Sequence, residues 1–204
     1  MQRLTKLGLA QLLITRLFPK PTNDKKLTEP QAMLLIAQSR DEYVKQYIYQ
    51  NRLDDKTIHT EWLSTFKGLT PKKDESCGDL YLELPARSIA IFHDLSIYHV
   101  WRGGDESDLI LPRRIGESWI AGGSDFFSHH PSYTLEQDRL VFKNLEQEGC
   151  KISIRMLATA EDIGATDYFP IDGSAVSAII DNAIQRYTIT KQIPEDVLND
   201  NISQ

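Results

Sequence analysis

The stretch of sequence that decides the fold is residues 77–101, CGDLYLELPARSIAIFHDLSIYHVW. Leucines alternate with polar side chains over residues 80–84, and this two-residue period predicts a strand with one buried face. Pro85 has no backbone N–H to donate, so the strand should bend there or lie at a sheet edge. Two further apolar segments, at 89–92 and 97–101, predict two more pieces of strand.

The residues after this stretch predict an antiparallel β-meander that ends near residue 157. A glycine-bearing loop at 103–107 and a turn at 137–138 each lie between two apolar segments, which is the pattern of a hairpin. The alternating segment 151–157 supplies the last strand. The charged segment 67–75, which precedes the central stretch, is predicted to be a loop.

Helices are predicted on both sides of this sheet. Thr28 and Gln31 stand at the two positions of a capping box, with Pro30 in the first turn, so a helix should run from 28 to about 50. A final helix should follow a cap at Asp172 or Ser174. Its apolar stripe consists of Val176, Ile179, Ile180, Ala183, Ile184 and Tyr187. The predicted fold class is therefore α+β: an antiparallel β-meander or small sandwich, flanked by N-terminal and C-terminal helices and carrying extended terminal arms.

The two ends of the chain are predicted to be arms on a single body. We assign 1–26 to an N-terminal helix and linker, 27–193 to one α+β body, and 194–204 to an acidic tail. The N-terminal helix either packs on its own core or docks on a neighbouring subunit. The residues predicted to contact other subunits or partners are Leu4, Leu7, Ile14 and Leu17 in the helix, the basic pair Arg113 and Arg114, and Val197 and Leu198 in the tail.

Composition and charge narrow the class of protein. The 204 residues carry 29 acidic and 23 basic side chains, a net charge of −6, which disfavours a surface built to neutralise phosphates. Cys77 and Cys150 belong to no CxxC pair, so two thiols in a reducing compartment are expected, with a disulfide between them as the alternative. No run of apolar residues approaches the roughly 20 of a membrane span, and no membrane partner is expected.

One polar cluster could carry chemistry. Asp125, His129 and His130 fall within DFFSHH at 125–130, and they raise the alternative of a metal-dependent hydrolase. Adjacent histidines point to opposite sides of a strand, however, and cannot easily bind one ion. A loop is the simpler interpretation. We predict no cofactor, no metal and no catalytic residue.

Four stretches carry a resemblance over most of residues 28–200. They are the long helix at 28–50 with EWL at 61–63, LELPARSIAIFHDLSIYHV at 82–100, YTLEQDRLVFKNL with KISIRMLATAEDI at 133–145 and 151–163, and IPEDVLND at 193–200. In this order they are similar to structural proteins of tailed bacteriophages that form rings in the head-to-tail connector. The nearest group is the ring, or neck, proteins of crAss-like phages that infect Bacteroides-type bacteria.

The resemblance implies a non-enzymatic virion protein, assembled in the host bacterial cytoplasm. It implies a closed ring of about twelve identical copies, stacked on the portal protein or on an adjacent ring or tail protein. The double-stranded genome would pass through the lumen. Another head or tail component, such as a hub, tube or decoration protein, remains an alternative, and so does a module that binds a host factor.

Overall fold

The computed structural model describes residues 4–19, 27–51, 58–75, 78–89, 91, 96–113, 130–145 and 149–192. The chain divides into two compact units: Met1–Trp62 together with Ala160–Gln204 (unit 1), and Leu63–Thr159 (unit 2). Unit 1 contains the described helices and unit 2 the described strands, so the predicted α+β class is confirmed. The division differs from the predicted boundaries at 26 and 193, because the N-terminal helix belongs to a unit with the other helices.

Three α-helices form the described part of unit 1: α1 (Lys6–Leu17), α2 (Glu29–Asn51) and α3 (Val176–Gln192). The capping box predicted for α2 is present, since the Thr28 backbone N–H donates to Gln31 Oε1 at 3.0 Å and the Gln31 N–H lies 3.5 Å from Thr28 Oγ1. Asp172 caps the short 3₁₀ turn Gly173–Ala175 that leads directly into α3. No described helix is long and apolar enough to cross a bilayer.

The core of unit 1 is formed where the three helices meet. Its fully buried members include Leu9, Ala10 and Leu13 of α1, Ala32, Ile36 and Ala37 of α2, and Ile179, Ile180 and Ala183 of α3. The stripe predicted for α3 is therefore confirmed. Leu4, Ile14 and Leu17, which were predicted to contact other subunits, are partly buried against this core, and Leu7 is half-buried. The first alternative for α1, packing on the core of its own chain, is the one observed.

Unit 2 has eight described strands in two sheets. The strands are β1 (Ser64–Leu69), β2 (Lys72–Lys73), β3 (Leu80–Glu83), β4 (Ile97–Arg102), β5 (Leu111–Pro112), β6 (Ser132–Glu136), β7 (Arg139–Lys143) and β8 (Ile152–Met156). One sheet has the order β1-β8-β4 and the other β2-β3-β7-β6-β5. All pairs are antiparallel except β5 with β6, which is parallel.

The strand order corrects two details of the prediction. The pairs β1–β8, β8–β4 and β3–β7 join strands that are not consecutive in sequence, so the connections are not those of a simple meander. The segment 67–75, predicted as a loop, contains the end of β1 and all of β2, and Gly68 adopts a left-handed φ of +73° where the β1–β8 register shifts. Both predicted hairpins are present: β6 turns into β7 at Gln137, and β4 returns through the Trp101–Leu109 bridge.

Both sheets contribute side chains to one apolar core. Leu80 and Phe142 are register partners in the larger sheet, and Val100 and Ile154 are partners in the smaller one. All four belong to the same buried cluster. The alternation that predicted β3 and β8 therefore identifies their inner faces, which carry Leu80 and Leu82 in β3 and Ile152, Ile154 and Met156 in β8.

Candidate functional site

A buried arginine of unit 1 donates hydrogen bonds to three other residues. Arg40 of α2 is 0% exposed, and its Nη2 donates to the carbonyl of Trp62 at 2.8 Å. Nε and Nη2 both donate to the carbonyl of Pro170, at 3.2 and 3.1 Å, and Nη1 bonds Asp41 at 3.0 Å. The Asp41 carboxylate in turn accepts from the backbone N–H of Ala160. We call these five residues the Arg40 clamp, because they join α2 to backbone at residues 62, 160 and 170.

The electrostatics of the clamp suit a structural role. Burial lowers the pKa of Arg40, and the neighbouring Asp41 raises it, while a guanidinium remains protonated throughout the accessible pH range. The named acceptors are two carbonyl oxygens and one carboxylate, which match the planar fork of the guanidinium. This arrangement fixes backbone positions.

A second buried cation anchors the first turn of α1. Lys6 is 8% exposed, and its Nζ donates to the carbonyl oxygens of Ala160 and Glu161 at 3.0 and 3.2 Å. Burial lowers the pKa of Lys6, and the carboxylates of Asp162 and Glu161 oppose that shift. Lys6 and the Arg40 clamp therefore hold the same backbone segment from two different helices.

Aromatic rings surround the end of the clamp at Trp62. Tyr43 and Tyr47 meet the Trp62 ring edge to face, with centroids 6.1 and 4.7 Å apart. The ring of His59 lies 4.9 Å from Trp62, and its Nε2 is 3.3 Å from the Tyr47 hydroxyl. Tyr43 and Tyr47 of α2 thus pack on the buried ring of Trp62.

Unit 1 also has a shallow groove of about 330 Å³ beside the first turns of α1 and α2. We call it the α1–α2 groove. Its lining consists of Lys6, Pro30, Met33, Leu34, Ala37, Glu161 and Ala165. Most of these side chains are apolar, and Leu34 is 47% exposed although it lies within a helix. The groove could therefore accept an apolar side chain.

A charged depression of about 360 Å³ lies on unit 2. It is lined by Lys73, Asp74, Glu75, Tyr81, Glu83 and Arg139. The Arg139 guanidinium lies 3.7 Å from Asp74, 3.4 Å from Glu136 and 5.7 Å from the centre of the Tyr81 ring. Exposed ion pairs of this kind contribute little to stability. They show that basic side chains here are matched by acidic neighbours.

The predicted contact residues are separated in the structure. Leu4, Leu7, Ile14 and Leu17 lie in or beside α1, whereas Arg113 is half-buried after β5 in unit 2, where its backbone N–H donates to Tyr133 at 2.7 Å. Arg114, Val197 and Leu198 lie outside the described residues.

Of the three residues considered for a catalytic or metal site, one lies within the described part of the chain. His130 is exposed, and its carbonyl accepts from Asn144, while Asp125 and His129 lie outside the described residues. Within the described ranges, no three His, Cys, Asp or Glu side chains come close enough to hold a metal ion. Cys150 is half-buried as a free thiol whose pKa is raised by burial; Cys77 is not among the described residues.

The Arg40 clamp was missed by the sequence reasoning. A charged residue on a long helix is usually solvated, and burial of such a residue depends on partners distant in sequence. One signal was nevertheless available. Arg40 lies four residues after Ile36 and four before Val44, both buried, so it occupies the centre of the apolar face of α2.

Comparison with known proteins adds no relative to this description: no family model matches the chain, and no curated protein matches it in sequence.

Proposed function

We propose that this chain is a structural subunit of a ring in the head-to-tail connector of a tailed bacteriophage of the crAss-like kind. The observation that carries the proposal is the order of its elements. The stretch at 28–50 folds as the long helix α2 and is followed by the Trp62 turn. The stretch at 82–100 contributes to β3 and β4, and the third forms β6, β7 and β8. The fourth stretch, at 193–200, directly follows α3 and lies outside the described residues.

Buried charge in unit 1 supports a structural role. Arg40 donates hydrogen bonds to the backbone carbonyls of Trp62 and Pro170, and Lys6 donates to that of Ala160. Such contacts make a unit rigid, because each buried carbonyl loses its partner if the segment moves. Rigidity suits a subunit that must present the same surfaces in every copy of a ring.

The charge distribution supports passage of DNA rather than binding of it. The chain has a net charge of −6, and several basic side chains of unit 2 lie against carboxylates, among them Lys72 with Glu83 at 3.1 Å and Arg155 with Glu106 at 2.8 Å. A basic side chain that is already paired with a carboxylate neutralises phosphates poorly and so releases few counterions from a duplex. Its contribution to DNA affinity is therefore small. A lumen lined by such a surface would let the genome slide.

The proposed partners follow from the ring. Identical copies contact one another head to tail, and closure gives a ring of about twelve subunits. One end of this ring docks on the portal protein, and the other on an adjacent ring or tail protein. The proposed location is the neck of the virion, after assembly in the host cytoplasm.

Antibody labelling of intact virions tests this proposal. An antibody raised against the purified chain should label a single position per particle, between head and tail, in negative-stain images. Virions treated with pre-immune serum are the control. Labelling over the whole head would favour a decoration protein, labelling at the distal tip a tail hub, and absence of labelling from disrupted and intact particles would refute a virion role.

A further inference from the structure

The Arg40 clamp holds the two places where the chain passes between the units. The chain leaves unit 1 after Trp62 and returns to it at Ala160. Arg40 donates to the Trp62 carbonyl at 2.8 Å, and the next residue, Asp41, accepts from the Ala160 N–H at 3.1 Å. Two consecutive residues of α2 therefore bind the last residue of unit 1 before unit 2 and the first residue after it.

The same two stretches of chain meet again inside unit 2. Ser64, two residues after Trp62, is the register partner of Met156, four residues before Ala160, at one end of the β1–β8 ladder. We call Trp62–Ser64 and Met156–Ala160 the two crossings. The clamp therefore holds the unit 1 end of both crossings, and the terminal β1–β8 pair holds their unit 2 end.

The second crossing is also restrained along its length. Its Leu157 N–H donates to the Ser96 carbonyl, and its Thr159 N–H donates to the Arg87 carbonyl, both at 2.8 Å. Thr159 is followed directly by Ala160, whose N–H bonds the clamp. Hydrogen bonds thus restrain this crossing from the end of β8 as far as the clamp.

The clamp and the β1–β8 pair each lower the entropic cost of forming the other. All of unit 2, Leu63–Thr159, lies between the two backbone groups that the clamp binds. Without the strand pair, the clamp would have to close a loop of that length, and the entropic cost of loop closure rises with length. With the strand pair formed, only the short crossings remain to be ordered. Because linked equilibria are reciprocal, an intact clamp favours the end of the strand pair to the same extent.

We propose that the Arg40 clamp couples local opening of unit 1 to local opening of the β1–β8 end in unit 2. While unit 1 is folded, fraying at Ser64 and Met156 works against the hydrogen bonds at Trp62 and Ala160, so it costs more than fraying of an unanchored strand end. The coupling goes beyond the proposed function, because it belongs to the folded chain whatever assembly the chain enters. A clamp that only stabilises unit 1 would leave unit 2 unaffected.

Amide exchange measured by NMR on the full chain tests this coupling. Asp41→Ala removes the acceptor of the Ala160 N–H and changes no residue of unit 2. The Leu157 N–H, which donates to a carbonyl within unit 2, should then exchange at least about tenfold faster than in the wild type. The Phe142 amide in β7 should be unchanged, because β7 belongs to the other sheet of unit 2.

The control is a variant that weakens unit 1 but keeps the clamp. Ile179→Ala leaves a cavity in the core of unit 1, so it should accelerate exchange in α3 and leave Leu157 unchanged while unit 1 remains mostly folded. The proposal is overturned if Asp41→Ala leaves Leu157 unchanged, or if Ile179→Ala accelerates it as much. Equal acceleration at Phe142 would show general weakening of unit 2 and would also overturn it.

The coupling predicts the reverse effect as well, in variants that keep the clamp residues. Phe66 of β1 and Leu135 of β6 are both partly buried against the core of unit 2. Phe66→Ala weakens β1 and should accelerate exchange of the Ala160 N–H in unit 1, whereas Leu135→Ala, in the other sheet, should not. If Asp41→Ala does not fold, this pair decides alone: no acceleration at Ala160, or the same acceleration in both variants, overturns the proposal.

Discussion

Replacing Arg40 with methionine should destabilise unit 1 strongly. The guanidinium is 0% exposed and supplies donors to the carbonyls of Trp62 and Pro170 and to the Asp41 carboxylate. Methionine fills a similar volume but donates nothing, so the two buried carbonyls lose the donors that Arg40 supplies, and the Asp41 carboxylate loses its ion-pair partner while it keeps the Ala160 N–H. Removal of one member of a buried ion pair costs about 3–5 kcal/mol, which is a large fraction of the 5–15 kcal/mol that stabilises a typical domain.

Amide hydrogen exchange measured by mass spectrometry can report the loss of stability in unit 1 separately from unit 2. A loss of 3–5 kcal/mol corresponds to exchange that is faster by roughly two to three and a half orders of magnitude in the protected amides of α2 and α3. Peptides from β7 and β8 report separately on the core of unit 2.

The matched control is Arg16→Met on α1. Arg16 also forms an ion pair, with Asp181 at 3.3 Å, but it is 44% exposed. Its loss should cost less than about 1 kcal/mol. Arg40→Lys keeps the charge but not the planar fork, and it should recover only part of the protection. A tenfold or smaller effect of Arg40→Met, or an effect equal to that of Arg16→Met, would refute the view that the clamp holds unit 1 together.

Three further predictions follow from the fold and the proposed role. Ile180→Asp should place an unpaired charge in the core of unit 1, at a cost of several kcal/mol, and give insoluble protein. Ile189→Asp, at an exposed position of the same helix, should stay soluble. Equal solubility of the two variants would contradict the packing of α3. Filter binding at low salt should give an affinity for duplex DNA weaker than about micromolar, and a tighter value that falls steeply with salt would argue against a non-binding lumen. Deleting residues 194–204 should leave the far-ultraviolet spectrum unchanged but weaken assembly or docking, and a truncated chain that assembles as tightly as the full chain would exclude the tail from the interfaces.

Local patterns predicted the elements whose signals are local. The reciprocal positions of Thr28 and Gln31 fix the start of α2, and the spacing of Ile179, Ile180 and Ala183 fixes the buried face of α3. The alternation over 80–84 likewise places Leu80 and Leu82 in the core of unit 2. In each case the pattern that predicts the element lies within a few residues of sequence, so it could be recognised without knowing which elements pack against it.

Features that depend on distant partners could not be read in this way. Strand β1 has a half-exposed sequence, STFKGL, and becomes a strand through its pairing with β8 some ninety residues later. The parallel pairing of β5 with β6 involves a strand of two residues, too short to show a period. The burial of Arg40 requires carbonyls at 62 and 170 that no local pattern brings together. The sequence did not show that Leu9 and Leu13 are the most buried leucines of α1, because their burial depends on packing against α2 and α3.

The copy number of this chain in purified virions tests the central claim most directly. Quantitative mass spectrometry with isotope-labelled peptides from the chain and from the portal protein gives their molar ratio in the same particles. A connector ring stacked on the portal predicts a small fixed ratio, close to one chain per portal subunit or to a simple multiple of it. Hundreds of copies per particle, a handful unrelated to the portal, or no copies at all would contradict the claim.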